Sequence, residues 1–381
     1  MKKYTRLVAI LAVLSSVGYA APFLAIGDGA ELFATGTLGV RADDNIFLAT
    51  NGTSDTIWDI NPGLTLDFGK NADLKGSLAV VDAFSNYSSH SALNTNLFSG
   101  DFNAKYDDAK TKMEFNAGYH ELNQNTVDTA LAAGGKLTRR DQFQVGAKGE
   151  VEVSQITSVG AGVSFEHMNY KVSGYGDFDE LKVPINFYYK WTPKTDLSIG
   201  YTYDNYQTQI GQDSITHFFN VGIRGELFPD MPLLKGEIAV GVDQRNISGG
   251  GSKTEPGLDA SVSYEYSQKT TLRFTASNNY STSPQGVQQK NLSFGGQANF
   301  NIDSSWTVNA GLNWRNIAYS RFGTSGPHTD DYVEGTIGAN YVVNSWVRIN
   351  AGYTYRDNST NNSNGSKFTG NVFNLTAVFR Y

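Results

Sequence analysis

The 381-residue chain has no cysteine and only 9 prolines. Without cysteine there is no disulfide framework and no thiolate metal site, so an exported form is held by its fold alone. After residue 20 no apolar run reaches the roughly 20 residues that a membrane-crossing helix needs. Positive charge is also in deficit: 30 Lys and Arg stand against 37 Asp and Glu. Lys2, Lys3 and Arg6 fall at the very start, which leaves 30 − 3 = 27 bases and a net charge near 27 − 37 = −10 for the rest. That balance argues against nucleic acid as a partner. Helical periodicity is nearly missing too.

Glycine (40) and the pair tyrosine and phenylalanine (21 + 22 = 43) are plentiful, a mix that suits strands and turns. The three early bases precede an apolar run from Leu7 to Val17 and the small residues of Gly18-Tyr19-Ala20. Residues 1–20 are therefore expected to be a bacterial secretory signal. A short N-terminal segment over 21–30 and one β domain over 31–381 follow.

Period-two alternation runs through that domain. Trp58, Ile60, Pro62, Leu64, Leu66 and Phe68 alternate with Asp59, Asn61, Gly63, Thr65 and Asp67. Trp306, Val308, Ala310, Leu312 and Trp314 alternate with Thr307, Asn309, Gly311, Asn313 and Arg315. The pattern predicts strands at 31–41, 56–69, 74–87, 97–107, 110–121, 141–151, 157–170, 180–191, 196–207, 215–228, 234–247, 257–268, 271–281, 290–302, 306–319, 331–343, 346–356 and 370–381. The third is the least clean, because Ala79, Val80 and Val81 blur its register. Connections alternate between short, such as Thr192-Pro193-Lys194 or Asn344-Ser345, and long, such as Asn123 to Arg140 or Asp357 to Thr369.

Short turns on one side and long loops on the other are the pattern of an outer-membrane barrel. Aromatics separate this reading from a soluble sandwich. Phe68, Tyr106, Trp191, Phe228, Tyr266, Trp306, Tyr341, Trp346 and Tyr381 fall at one set of strand ends. Trp58, Phe98, Phe143, Tyr170, Tyr203, Tyr280, Trp314, Tyr355 and Phe373 fall at the other. Two such girdles mark the two membrane–water boundaries. The apolar residues between them include much Ala and Gly, which would fill a sandwich core poorly. The expected fold class is all-β: a transmembrane antiparallel up-and-down β-barrel of about 18 strands (16–18), with long outer loops, short periplasmic turns and both termini periplasmic.

Three stretches near the start carry a resemblance. Asp43-Asp44-Asn45-Ile46-Phe47, Ser54-Asp55-Thr56-Ile57-Trp58 and Asn61-Pro62-Gly63-Leu64-Thr65-Leu66 resemble the opening of the putative β-barrel porin 2 family of outer-membrane proteins. The resemblance implies an outer-membrane location and a barrel. Some members accompany exopolysaccharide or capsule export systems. It supplies no substrate.

The polar face is where selectivity would reside. On this register it presents Arg41, Asp59, Asp67, Lys112, Glu114, Lys148, Glu150, Arg224, Glu226, Glu237, Asp243, Arg245, Asp259, Glu265, Arg273, Arg315, Glu334 and Arg348. Residues this charged predict a wet lumen, for charges without partners do not fill a dry core. Either they bias ions in a diffusion channel or they pair across strands and keep the lumen hydrated. The loop from Asn123 to Arg140 is read as an ordinary surface loop rather than a constriction folded into the pore.

Asp43-Asp44-Asn45 and Asp330-Asp331 read as turn formers rather than calcium ligands, and no cofactor or metal is expected. Glu166-His167 and His217 lie near one rim without any nucleophile motif, so no enzyme is expected. Phe379 and Tyr381 resemble the terminal signal read by the barrel assembly machinery. The expected partners are that machinery, outer-membrane lipid and small hydrophilic solutes or ions; polysaccharide export components are an alternative. The functional expectation is a passive porin or transport channel. An export accessory and a non-conducting structural or adhesive barrel are the alternatives.

Overall fold

A computed structural model describes residues 22–129, 136–320, 326–361 and 367–381. The expected signal, residues 1–20, lies outside the described residues. Nineteen strands follow one another: β1 (Leu24–Ile26), β2 (Ala30–Asp43), β3 (Asp55–Phe68), β4 (Leu74–Tyr87), β5 (Thr95–Asp107), β6 (Thr111–Asn123), β7 (Arg139–Ser154), β8 (Thr157–Tyr170), β9 (Phe178–Thr192), β10 (Thr195–Thr208), β11 (Ser214–Glu226), β12 (Leu234–Ile247), β13 (Gly251–Ser267), β14 (Thr270–Thr282), β15 (Gln288–Asn301), β16 (Trp306–Tyr319), β17 (His328–Val342), β18 (Val347–Thr360) and β19 (Phe368–Arg380). From β2 onward each strand pairs antiparallel with the next. β19 pairs back onto β2, from Val372↔Asp43 to Arg380↔Thr35, which closes an 18-strand barrel. Closure removes the sheet edge that a strand at a chain end would otherwise present. β1 is extra, a three-residue strand that folds back on the start of β2.

All eighteen expected strands are present. The largest shift is β13, which begins at Gly251 rather than 257. Pro256-Gly257 reads as a break, yet β13 pairs with β14 only from Leu258 downward. Pro256 therefore lies on a locally free edge, where a missing N–H is tolerated. Strands of 13 to 17 residues exceed what a bilayer needs.

One face of the alternation is apolar and solvent-exposed: Ile185, Phe187, Ile199, Val221, Leu312, Ile337, Phe373 and Leu375 are each between 46% and 66% exposed. Surface of that kind around a whole wall is stable only against hydrocarbon. Both girdles are present, with rings paired across strands: Trp306 with Tyr341 (4.6 Å), Trp346 with Tyr381 (5.2 Å) and Tyr353 with Phe373 (4.7 Å). Two expected members are not in them. Tyr170 has inward parity and stacks on Tyr175 (5.3 Å). Tyr280 lies beneath the Lys290 ammonium (4.3 Å) in a hairpin end that bends inward.

The blurred register of β4 has a specific cause. Asp82 has outward parity, opposite Phe98 on β5 and level with Pro62 on β3, where the β3–β4 ladder is interrupted. Among the described residues its carboxylate makes no hydrogen bond or ion pair. A carboxylate in the lipid-facing wall is unfavourable. Asp82→Leu is expected to stabilise the barrel by about 1–2 kcal/mol, read as a higher urea midpoint in detergent micelles.

The short periplasmic turns are closed by side chains. Asp108 accepts from the Lys110 and Thr111 N–H groups (2.7 and 2.6 Å), and Asp303 from Ser305 and Trp306 (2.7 and 2.8 Å). These backbone donors hold both carboxyl groups below the usual carboxylate range.

Candidate functional site: the lumen and its outer mouth

All eighteen expected lumen residues sit on the face opposite the apolar one. Most are paired. Arg41 donates to Asp59 (2.6 Å), Arg380 to Asp67 (2.6 Å) and Lys148 to Glu114 (2.6 Å). Glu226 meets Lys194 (2.9 Å), and Glu334 meets Arg356 (3.6 Å) and the Tyr332 hydroxyl (2.7 Å). Glu237 is level with Arg224 on the next strand. Asp259, Glu265 and Arg273 lie on β13 and β14, and Arg348 near the periplasmic end of β18.

The densest cluster centres on Arg224. Its guanidinium holds both Glu150 oxygens (2.6 Å each) and Asp196 (2.9 Å), and it lies 3.4 Å above the Tyr188 ring. Lys112 completes this corner. The Arg224–Glu150 contact ties β11 to β7 across three intervening strands, so it pins the curvature of that side. Arg224→Met strands two carboxylates and is expected to lower stability by about 2 kcal/mol, measured by urea unfolding.

The outer mouth differs from an open barrel. In the β2–β3 loop, Asp43 accepts from the Asn45 N–H (2.8 Å), a turn that Asp favours. Asn45, 2% exposed, donates to the Ala49 and Thr369 carbonyls (2.7 Å each) and accepts from the Ala49 N–H (2.9 Å). Leu48 takes the left-handed conformation (φ 51°). This geometry turns Ile46, Phe47 and Leu48 inward. Ile46 packs with Ile57 and Tyr87. Asp55 accepts from the Thr56, Ser89 and His90 N–H groups (2.7, 3.0 and 2.9 Å), tying the β4–β5 loop to the same corner. Two of the three stretches that carry the family resemblance, 43–47 and 54–58, thus build the inturned rim, while 61–66 runs down the wall in β3.

The loop after β6 crosses the lumen. Asn125 donates to the Phe47 carbonyl (2.7 Å), and the Thr129 carbonyl accepts from the Tyr175 hydroxyl (2.6 Å). Asp128 pairs with Arg315 on β16. In a ring of eighteen, β6 and β16 are 16 − 6 = 10 steps apart one way and 18 − 10 = 8 the other, so the contact spans the barrel. Val127 joins Leu48, Val287, Ile317, Tyr319, Tyr332 and Phe368 in one buried apolar cluster. The expectation of an ordinary surface loop is therefore corrected: the described part of 123–140 is a constriction. The Ala130–Gly135 stretch lies outside the described residues. The legible signal was apolar residues with inward parity at outer strand ends, Ile317 and Tyr319 above all.

The β14–β15 hairpin closes the mouth from the other side. Its tip is buried, with Ser283 at 1% and Gln289 at 4% exposed. The Pro284 carbonyl accepts from the Gly176 N–H (2.9 Å), and Gln288 donates to the Gln212 carbonyl (3.0 Å). Gly286 and Gly211 pack backbone to backbone with positive φ (74° and 97°), a combination that excludes a Cβ at either. Lys290 donates to Asp243 (3.2 Å), and Arg245 to Ser214 and Thr282 (2.7 Å each). Asp243, Arg245 and Arg315, expected to line the pore, are instead covered by inturned loops.

Glu166 and His167 do not form a site. Adjacent strand residues face opposite ways: Glu166 is buried inward near Gln142 (3.0 Å), and His167 contacts Asp179 on the other face (2.7 Å). His217 meets the Tyr201 hydroxyl (2.8 Å). Asp330 is buried beside Asn358, whereas Asp331 accepts from Asn316 (2.8 Å). Among the described residues no group of three or more His, Asp or Glu could hold a metal.

A closed barrel with a lipid-facing apolar wall and a charged lumen defines a membrane-spanning channel-type barrel of the outer membrane. The chain belongs to the family described as Putative beta-barrel porin 2, whose model matches residues 32–381. No curated protein matches the sequence. Among solved structures it is similar to Pseudomonas aeruginosa OccK2 (OpdF) in complex with glucuronate, at 10% identity over 92% of this chain and 98% of that one, with a TM-score of 0.50. It is also similar to P. aeruginosa OpdL (12% identity, 93% and 99% covered, TM-score 0.47). For the ferric citrate transporter FecA the figures are 10% identity, 91% of this chain but only 66% of that one, and a TM-score of 0.46.

Proposed function

We propose that the protein is an outer-membrane channel for ions and small hydrophilic solutes, with passage limited by inturned loops at its outer mouth. The observation that carries this reading is the Asp128–Arg315 contact across the barrel, with the apolar cluster beside it, above a charged lumen. A wide polar barrel conducts unless something blocks it, and here described loops reach across the opening. The paired charges keep water in the lumen, and the acidic excess points to weak cation preference.

A second reading is favoured by the apolar cluster itself. A dry seal suits a conduit that opens only with a partner, as an accessory of polysaccharide export would. A non-conducting surface barrel is the third. Phe379, outward on β19, and Tyr381, just past its end and against Trp346 in the girdle, fit recognition by the barrel assembly machinery. Planar-bilayer recording of the refolded protein separates the readings. Small, steady, cation-preferring steps support the channel. Silence from correctly folded protein overturns it and leaves the partner-opened or surface barrel.

A further inference from the structure

The lumen wall is chemically two-sided. Charged clasps concentrate on β2–β13. On β15–β19, three successive inward rows carry none. The rows are Gln297–Gly311–Thr336–Thr354–Val372, Asn299–Asn309–Gly338–Gly352–Asn374 and Asn301–Thr307–Asn340–Asn350–Thr376. That is 3 × 5 = 15 positions without a charge, rich in amides and threonine. Five strands at about 4.8 Å and rows about 6.8 Å apart make a wall roughly 20 Å wide and 14 Å high.

The amides are also uncommitted. Among the described residues Gln297, Asn299, Asn309, Asn340, Asn350 and Asn374 make no side-chain hydrogen bond. Glycine lets them lie flat: a Cβ on Gly352 would stand 2.7 Å from Asn374 Oδ1, and Asn309 lies over Gly338 in the same way. The wall lies on the periplasmic side of the loop cluster.

An amide carries two donors and an acceptor with two lone pairs; Asn309 Oδ1 is itself buried against Gly338, so Asn309 presents its donors. An anion would be drawn to Arg or Lys, and a cation to carboxylates, and this wall has neither. Hydroxyl groups both donate and accept, and they match amides without needing a charge. We infer that the β15–β19 wall is a binding lane for an uncharged, hydroxyl-rich solute of two to three sugar rings. The inference deepens the channel reading and rests on it for the solute's route to the wall.

Equilibrium binding tests it independently of conduction. The full-length refolded barrel in detergent is titrated with maltotriose and, separately, with a trigalacturonate, using saturation-transfer NMR. Maltotriose is expected to bind and trigalacturonate to bind at least tenfold more weakly. The N309A/N350A/N374A variant is expected to lose at least tenfold in maltotriose affinity while its ion conductance stays within twofold of the parent. Should that variant misfold, as judged by heat-modifiable gel migration, N350D alone is used and is expected to show the same direction of loss. Absent maltotriose binding, equal binding of the uronate, or undiminished binding by the folded variants overturns the inference. Conduction without maltotriose binding sinks this inference alone, whereas binding by a silent barrel sinks the channel reading alone.

Discussion

Val287→Asp raises single-channel conductance severalfold. Val287 is 9% exposed at the tip of the β14–β15 hairpin, packed with Val127, Leu48, Ile317 and Phe368. An unpaired carboxylate there costs about 3 kcal/mol or more in the packed state. The barrel wall does not depend on this cluster, because its ladder is closed by backbone bonds between β19 and β2. The cost is therefore relieved by the hairpin leaving the mouth rather than by global unfolding. Planar-bilayer recording compares parent and variant at equal salt. An unchanged conductance in a correctly folded variant means that this hairpin does not limit passage.

Removing Phe379, Arg380 and Tyr381 abolishes the folded barrel. Tyr381 exchanges two backbone hydrogen bonds with Ala34 (2.9 and 2.7 Å) and sets its ring edge-on to Trp346. Arg380 donates to Asp67 and lies 3.8 Å over the Phe33 ring. These contacts fasten the periplasmic end of the seam. Without them β2 and β19 present free edges within the membrane, where unpaired N–H and C=O groups cost several kcal/mol each. The readout is heat-modifiable migration after refolding into detergent. The truncated chain is expected to run as unfolded at all temperatures. A folded band at the parent's yield would show that the seam closes without its end.

The wall was legible in the sequence because two environments, lipid and water, act on alternate residues of every strand. That pressure is local, so strand number, strand parity and the girdles follow from it. The mouth was not legible to the same degree. Asn45, Asn125 and Asp128 are ordinary loop residues by composition, and what they hold is set by strands up to half a circumference away. Ile317 and Tyr319 did violate the rule that inward means polar, and that violation was the trace of the inturned loops. Asp82 broke the complementary rule on the outer face. The charges were assigned to the right face, but parity alone could not separate those open to the lumen from Asp243, Arg245 and Arg315, which the loops cover.

The absence of native cysteine makes one measurement clean. Ile317→Cys places a single thiol at a position that is 0% exposed, inward-facing and at the outer end of β16. In the folded barrel its reaction with a hydrophilic, membrane-impermeant maleimide is expected to be at least a hundredfold slower than that of a cysteine at exposed Asn299. Adding Val287→Asp is expected to restore fast labelling. Labelling of Ile317→Cys at the rate of the exposed control would contradict a mouth closed by inturned loops.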